Sequence, residues 1–352
     1  MKYKILFVQP ILTSYRIPFF QDLGKHIESL TVIADIPEKN FGVTNQEFTN
    51  FKFSRVSWNK KFSLYFTNIF SLIKNSKDCT HIIHFADFKY TTLTISVLIG
   101  LITQKKVLLH GQGGYKKSGI IKKIVYNLAV KFSDRYIAYN EYAALKLKET
   151  LMPSLRKKIC FINNTLYIKP VSEINKKPNN EILYIGRLRE GCDIEILAEA
   201  CKITESKLIV IGDGPIELKE SLKKIHHEIL FHGAVYSDEE IKKLSQHCIA
   251  GVYPGDAGLS VVHYMSLGLP VIIHSSTDMH MGPEPAYIED KYNGILFERK
   301  NKQSLVSAMK EIIENKPLRL NLAQNSLEAW NELSKKSMAE SLLEIMKNLQ
   351  KH

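Results

Sequence analysis

Cysteine is scarce and unpatterned in this chain. Cys79, Cys160, Cys192, Cys201 and Cys248 are scattered over 352 residues, odd in number and never spaced Cys-x-x-Cys. That argues against a disulfide framework or a zinc site and fits a reducing compartment. Long hydrophobic runs are also missing. The longest, "YTTLTISVLIGLIT" from Tyr90 to Thr103, is too short to span a bilayer and carries threonines, so it reads as a buried core helix. The opening "MKYKILFVQP" lacks the apolar length and small-residue cleavage site of a secretory signal. A cytoplasmic location is therefore expected, and the sequon Asn163-Asn164-Thr165 carries little weight. No short-period repeat, no acidic cluster suited to Mg²⁺ and no evident covalent nucleophile can be picked out.

What is present is an ordinary globular composition, 45% hydrophobic and 24% charged, long enough for two domains. Its net charge of +12 is unevenly spread. Residues 1–170 hold 26 Lys and Arg against 10 Asp and Glu, a balance of +16; residues 171–352 hold 22 against 26, a balance of −4. A basic half points to a polyanionic partner or to a plain lysine-rich surface. "YKKSGIIKKIVYNLAVKF", residues 115–132, sets Lys116, Lys117, Lys122 and Lys123 among apolar residues at helical spacing. It fits either an anionic membrane surface or a packed helix with a solvated lysine edge.

Strand-length apolar runs alternate with helix-length amphipathic segments. "YKILFVQP", "SLTVIAD", "THIIHFAD", "KKVLLHGQ", "DRYIAYN" and "KKICFINN" form one series. "EILYIGRL", "SKLIVIGDGP", "EILFHGAV", "CIAGVYPG", "LPVIIHSS" and "GILFERK" form a second. The expected fold is α/β, with two Rossmann-like doubly wound domains and ligands at the C-terminal edges of their strands, in a central cleft. Residues 1–168 make the first domain, 169–180 a Pro/Asn/Lys linker, and 181–330 the second domain. Residues 331–352 make a terminal helix able to cross back to the first domain.

Three motifs suit a diphosphate. "IVIGDGP" puts Gly212 and Gly214 in a tight turn between a strand and a helix, where backbone can approach an anion. "YIGRLREG" puts Arg187 and Arg189 at a strand end, and a guanidinium donates in pairs to phosphate oxygens. "PGDAGLSVVHYMSLGLPVI", residues 254–272, offers Gly255, Gly258 and the N–H groups of Leu259 and Ser260. Taken singly, each also reads as a structural turn or a surface ion pair.

The ordered set "ILYIGRL", "LIVIGDGP", "FHGAVYSDEEIKKL", "GLSVVHYMSLGLPVI" and "YNGILF" resembles the retaining GT-B glycosyltransferases, family four of the nucleotide-sugar transferases, of bacterial polysaccharide type. "ILFVQPILTSYRIPFF" is similar, more loosely, to the start of bacterial members. The resemblance implies a nucleotide diphosphate sugar as donor, UDP before GDP, with no resident cofactor or metal. It implies transfer with retention to a saccharide acceptor, lipid-linked, in surface polysaccharide or lipopolysaccharide synthesis. It does not imply nucleic acid. His110 and Arg187 would be catalytic. Gly212, Gly214, Gly258, Leu259, Ser260 and Arg189 would meet the donor, and Tyr15, Arg16 and Gln112 would lie on the acceptor side.

The family's two glutamates, eight positions apart, fall on Gly255 and His263. His263 would then hold the ribose, since imidazole both donates and accepts. Asp256 or Glu284 would supply the missing carboxylate. The lysine expected after "GRL" is absent, and the loop after the first strand lacks the usual glycines. Two other classes stay open: a sugar-nucleotide epimerase or hydrolase on the same fold, and a non-catalytic partner of a transferase.

Overall fold

The computed structural model describes residues 3–36, 48–116, 119–174 and 178–349. Lys117 and part of the expected linker lie outside them. The chain divides into two compact units, residues 1–167 with 336–352, and residues 168–335.

In the first unit β1 (Lys4–Ile11), α1 (Ile17–Lys25), β2 (Ser29–Asp35) and β3 (Lys52–Arg55) come first. A hairpin of β4 (Asn59–Lys61) and β5 (Leu64–Phe66), then α2 (Ile69–Ser76), follow. The series β6 (His81–Phe85), α3 (Thr91–Thr103), β7 (Lys106–Gly111), α4 (Ile120–Phe132), β8 (Arg135–Ala138), α5 (Glu141–Thr150) and β9 (Ile159–Phe161) completes the sheet. Its seven strands run parallel in the order β3-β2-β1-β6-β7-β8-β9.

The second unit repeats the plan. It comprises β10 (Glu181–Ile185), α6 (Ile194–Ile203), β11 (Lys207–Ile211), α7 (Ile216–Ile225), β12 (Ile229–Phe231), α8 (Asp238–Ser245), β13 (Cys248–Tyr253), α9 (Ser260–Ser266), β14 (Val271–His274) and β15 (Gly294–Phe297). α10 (Lys302–Glu314) and α11 (Lys316–Ser334) follow. The sheet is again parallel, in the order β12-β11-β10-β13-β14-β15. The last helix, α12 (Met338–Leu349), belongs to the first unit and packs on α1.

Both sheets are doubly wound, and both reverse direction at one point: between β1 and β6, and between β10 and β13. Loops leaving the C-terminal ends of those strands diverge there and leave room for a ligand. The strands are nearly continuous runs of buried Val, Ile and Leu because helices cover both faces. Phe7, Phe20 and Leu23 pack with Met338, Leu342 and Met346 of α12 on one face of the first sheet. In the second unit Tyr264 bridges the switch point. Its hydroxyl accepts from the Ile185 N–H at 2.9 Å and donates to the Val252 carbonyl at 3.2 Å.

Two expectations need correction. The 90–103 segment is a helix but not a fully buried one. Leu93, Val97 and Gly100 face inward, whereas Leu98, Leu101 and Ile102 are exposed. A sequence apolar on every side gives no periodicity from which to choose a face. The β3–α2 region was absent from the strand series because its short strands are polar or exposed. No helix among the described residues is long and apolar enough to cross a membrane.

Candidate functional site

In the second unit, loops following β10, β11, β13 and β14 are joined by backbone hydrogen bonds. Leu188 N–H donates to the Asp213 carbonyl at 2.9 Å, and Gly186 N–H to that of Ile211 at 3.0 Å. Gly212 has φ +149°, and a Cβ there would lie 1.8 Å from the Gly186 oxygen. A Cβ on Gly214 would lie 2.4 Å from the Leu188 oxygen. Both glycines therefore allow two loops to touch. Arg187 and Arg189 are exposed on the first of these loops. Arg189 donates to the Met281 sulfur at 2.8 Å, which ties that loop to the one after β14.

The 254–259 loop meets its neighbours just as tightly. Asp256 N–H donates to the Gly191 carbonyl at 3.1 Å. A Cβ on Gly255 would fall 2.2 Å from that same oxygen and 2.6 Å from the Cys192 carbonyl carbon. Gly255 is thus a contact point between backbones, with no room for the glutamate that the sequence resemblance implies there. Ala257 is pinned by the segment after β14. Its carbonyl accepts from Met281 and Gly282 N–H at 2.9 and 3.3 Å, and its own N–H donates to His280 Nδ1 at 3.1 Å. This stitching carries Glu284 to the head of α9. Glu284 is 2% exposed, and its Oε2 lies 3.9 Å from where a Cβ on Gly258 would stand.

Asp256 is engaged elsewhere. Its Oδ1 accepts from Arg299 at 3.0 and 3.2 Å and lies 3.3 Å from His274 Nε2. His274 stacks on His280 with centroids 3.7 Å apart, and His280 Nε2 bonds the His274 carbonyl at 3.0 Å. Burial lowers the pKa of both rings, that of His280 to about 3. They form a neutral brace beneath the loop.

His263 is half-buried in the seven-residue α9, and its ring makes no hydrogen bond to another described residue. Burial lowers its pKa to about 4, so the imidazole is neutral near pH 7. Leu259 stands at the cap of α9 and Ser260 opens it. The next N–H groups, of Val261, Val262 and His263, are donated to the Gly258 and Leu259 carbonyls.

In the first unit a second cluster forms where β1, β7, β8 and β9 end. His110, at the end of β7, is 4% exposed, and neither ring nitrogen has a partner among the described residues. Its ring lies against Tyr139 with centroids 4.8 Å apart. Arg16, in the turn after β1, is buried and donates to Asn164 Oδ1 and to the Met338 sulfur of α12. Its guanidinium stands 5.5 Å from the centre of the Tyr15 ring and 5.9 Å from that of Tyr139. Burial first, then the Arg16 charge, push the His110 pKa down to about 3. A cavity of about 750 Å³ opens here, lined by His110, Gln112, Gly113, Asp87, Tyr126 and Tyr139.

Sequence reasoning missed Tyr139, Asn164 and Met338. Tyr139 and Asn164 carried a usable signal, since both sit just past apolar runs that end at the same sheet edge. Met338 had none, because its position depends on the return of α12. Of the residues expected to act, the second unit assembles Arg187, Arg189, Gly212, Gly214, Asp256, Gly258 and Glu284 around adjoining loops. The first unit gathers Tyr15, Arg16, His110 and Gln112.

Residues 168–329 match the family described as glycosyl transferases group 1. An uncharacterized glycosyltransferase, MJ1178, of Methanocaldococcus jannaschii is 22% identical over 94% of this chain and 95% of its own length. The O-antigen chain mannosyltransferase C of Escherichia coli is 24% identical over 44% of this chain and 43% of its own length. Among solved structures, Anabaena HepE in complex with UDP and glucose has a TM-score of 0.73 at 15% identity, covering 98% of this chain and 100% of that one. With two parallel doubly wound sheets of the GT-B kind, these likenesses support a group 1 glycosyltransferase.

Proposed function

We propose that the protein moves a sugar from a nucleotide diphosphate sugar to a saccharide acceptor, with retention at the anomeric carbon. The observation that carries this reading is the convergence of Arg187, Arg189, the Gly212 and Gly214 turn and the buried Glu284 at one sheet edge of the second unit. Arg187 and Arg189 offset the charge of the departing diphosphate, and the glycine turns let backbone approach it. Glu284, rather than Asp256, takes the hydroxyls of the donor sugar, because its buried Oε2 stands beside Gly258 at the head of α9, whereas Asp256 Oδ1 is turned to Arg299 and His274. His263 holds the ribose as a neutral ring.

Retention follows from same-face attack, in which a leaving phosphate oxygen takes the acceptor proton while the glycosidic bond to phosphate breaks and the new one forms. No metal takes part in this scheme. His110 lines the acceptor pocket with Tyr15, Arg16 and Gln112, and its two unpartnered nitrogens are available to sugar hydroxyls. UDP is the expected nucleotide; the structural neighbour named with UDP and glucose supports that choice. The likeness to an O-antigen mannosyltransferase supports a surface-glycan acceptor, lipid-linked and met at the inner face of the plasma membrane.

Incubation with a panel of nucleotide sugars in EDTA, scored for released nucleotide with and without acceptor, tests this reading. Acceptor-dependent release in chelator is expected. Interconversion of the donor sugar, or acceptor-independent hydrolysis alone, would instead make it an epimerase or hydrolase. Binding without turnover would make it a non-catalytic partner, the reading favoured by the missing glutamate at Gly255.

A further inference from the structure

The second unit holds another cavity, of about 370 Å³, at the N-terminal edge of its sheet. Ile249, near the start of β13, and Leu269 and Pro270, just before β14, give it an apolar wall. Arg319 and Ala323, on the first turns of α11, form the facing side. The volume suits a small molecule. The candidate diphosphate loops leave the other end of the same parallel strands. The six residues of β13 put about 20 Å between this cavity and the 254–259 loop. The two places can therefore be filled at once.

Arg319 indicates what the cavity takes. Its Nη1 donates to the Ile312 and Ile313 carbonyls at 3.0 and 3.2 Å, which caps α10, but its Nε is buried and has no partner. Among the described residues no carboxylate pairs with it, and burial lowers its pKa. The other charges on the cavity do not answer it: Glu173 stands exposed on the rim, and Lys242 is tied to Glu239 of its own helix at 3.0 Å. A partly buried cation without a counter-charge is costly. Ser326 Oγ and Trp330 Nε1, farther along the same stripe of α11, are also buried without partners. All three groups can donate, and the guanidinium and indole N–H can only donate, so what they lack is acceptor oxygen. We propose that this cavity is a second binding site, for a small organic oxyanion: a phosphate monoester or carboxylate whose charged group meets Arg319 and whose apolar body lies on Ile249, Leu269 and Pro270. Water carried in behind the anion satisfies the deeper Ser326 and Trp330.

Calorimetric titration of the full-length protein with phenyl phosphate, benzoate and inorganic phosphate tests the site. Saturable one-to-one binding of phenyl phosphate or benzoate is expected, and the tighter of the two names the anion. Inorganic phosphate should bind roughly tenfold more weakly or less, because it has no apolar body to bury. Arg319→Gln keeps an amide to cap α10 and removes the charge; it should weaken binding roughly tenfold or more. Ala323→Phe, which fills the cavity, should abolish binding. If that variant does not fold, Arg319→Gln still decides, since Arg319 is only partly buried. Arg187→Ala, on the loops at the other sheet edge, should bind the probe as the unaltered protein does. Four outcomes would overturn the proposal. They are no saturable binding of either organic probe, inorganic phosphate bound as tightly as phenyl phosphate, binding lost in Arg187→Ala instead, or unchanged affinity in a folded Arg319→Gln protein. The last, with a lowered melting temperature, would leave Arg319 as the cap of α10 alone.

Discussion

The two units share a sheet plan and differ in what they show to solvent. Of the 25 large hydrophobic side chains that stand exposed among the described residues, 18 lie in the first unit and seven in the second, although the units are of similar size. The first half carries +16 and the second −4. The sites differ in the same sense. The second unit closes its loops on one another through backbone bonds and glycine contacts, as rigid recognition of a small polar ligand requires. The first unit leaves a roomy cavity beside an apolar face. One fold thus supports two kinds of surface, because sheet and core fix the strand ends while the loops and outer helix faces stay free to vary.

Acid should separate the units most strongly. Burial depresses the pKa of His81 and His84 to about 4 and of His110 to about 3 in the first unit, and of His263 and His280 to about 4 and 3 in the second. A histidine whose folded pKa is lowered favours the folded state fully above its unfolded value near 6.5. That contribution is lost as pH falls toward the folded pKa, because the unfolded chain binds the proton first. Each such ring should contribute a loss of about 1–2 kcal/mol by pH 5. His274 of the second unit is lowered too, so each unit holds three such rings, and the larger positive charge of the first half should make the first unit unfold first. Calorimetric scans from pH 7 to 4.5 check this; a single transition that does not move with pH would contradict it.

Gly255→Glu tests the rigidity of the second site. Restoring the family's residue should destabilise the second unit by about 2–3 kcal/mol, as overpacking does, and should not raise activity. Urea unfolding reads the first effect. Unchanged stability would mean that the loop is looser than its contacts suggest.

His263→Ala should weaken donor binding by about 1 kcal/mol, the worth of a neutral hydrogen bond. With its pKa near 4, the affinity should be flat between pH 6 and 8. Affinity that falls as pH rises through about 6.5 would instead reveal an imidazolium on phosphate. A lowered melting temperature with unchanged affinity would leave His263 as a packing residue.

Much of this arrangement was legible in the chain. Strand ends carrying Arg187, Gly212 and Gly258 are local features, and parallel topology brings such ends to one edge. Glu284 was legible only as an alternative to Asp256. Choosing between them needs the bonds from Ala257 to residues 280–282 and the engagement of Asp256 by Arg299, contacts across 23 and 43 residues. The brace of His274 and His280 left no sequence signal, since their stacking depends on how the loop after β14 folds back.

In the proposed function the loops of the second unit hold a nucleotide diphosphate through Arg187. Calorimetric titration of UDP into the intact protein and into Arg187→Ala tests it most directly. The variant should lose about 1.5–3 kcal/mol, a 10- to 100-fold rise in Kd, with its melting temperature unchanged. Equal UDP affinity in the two folded proteins would contradict the account.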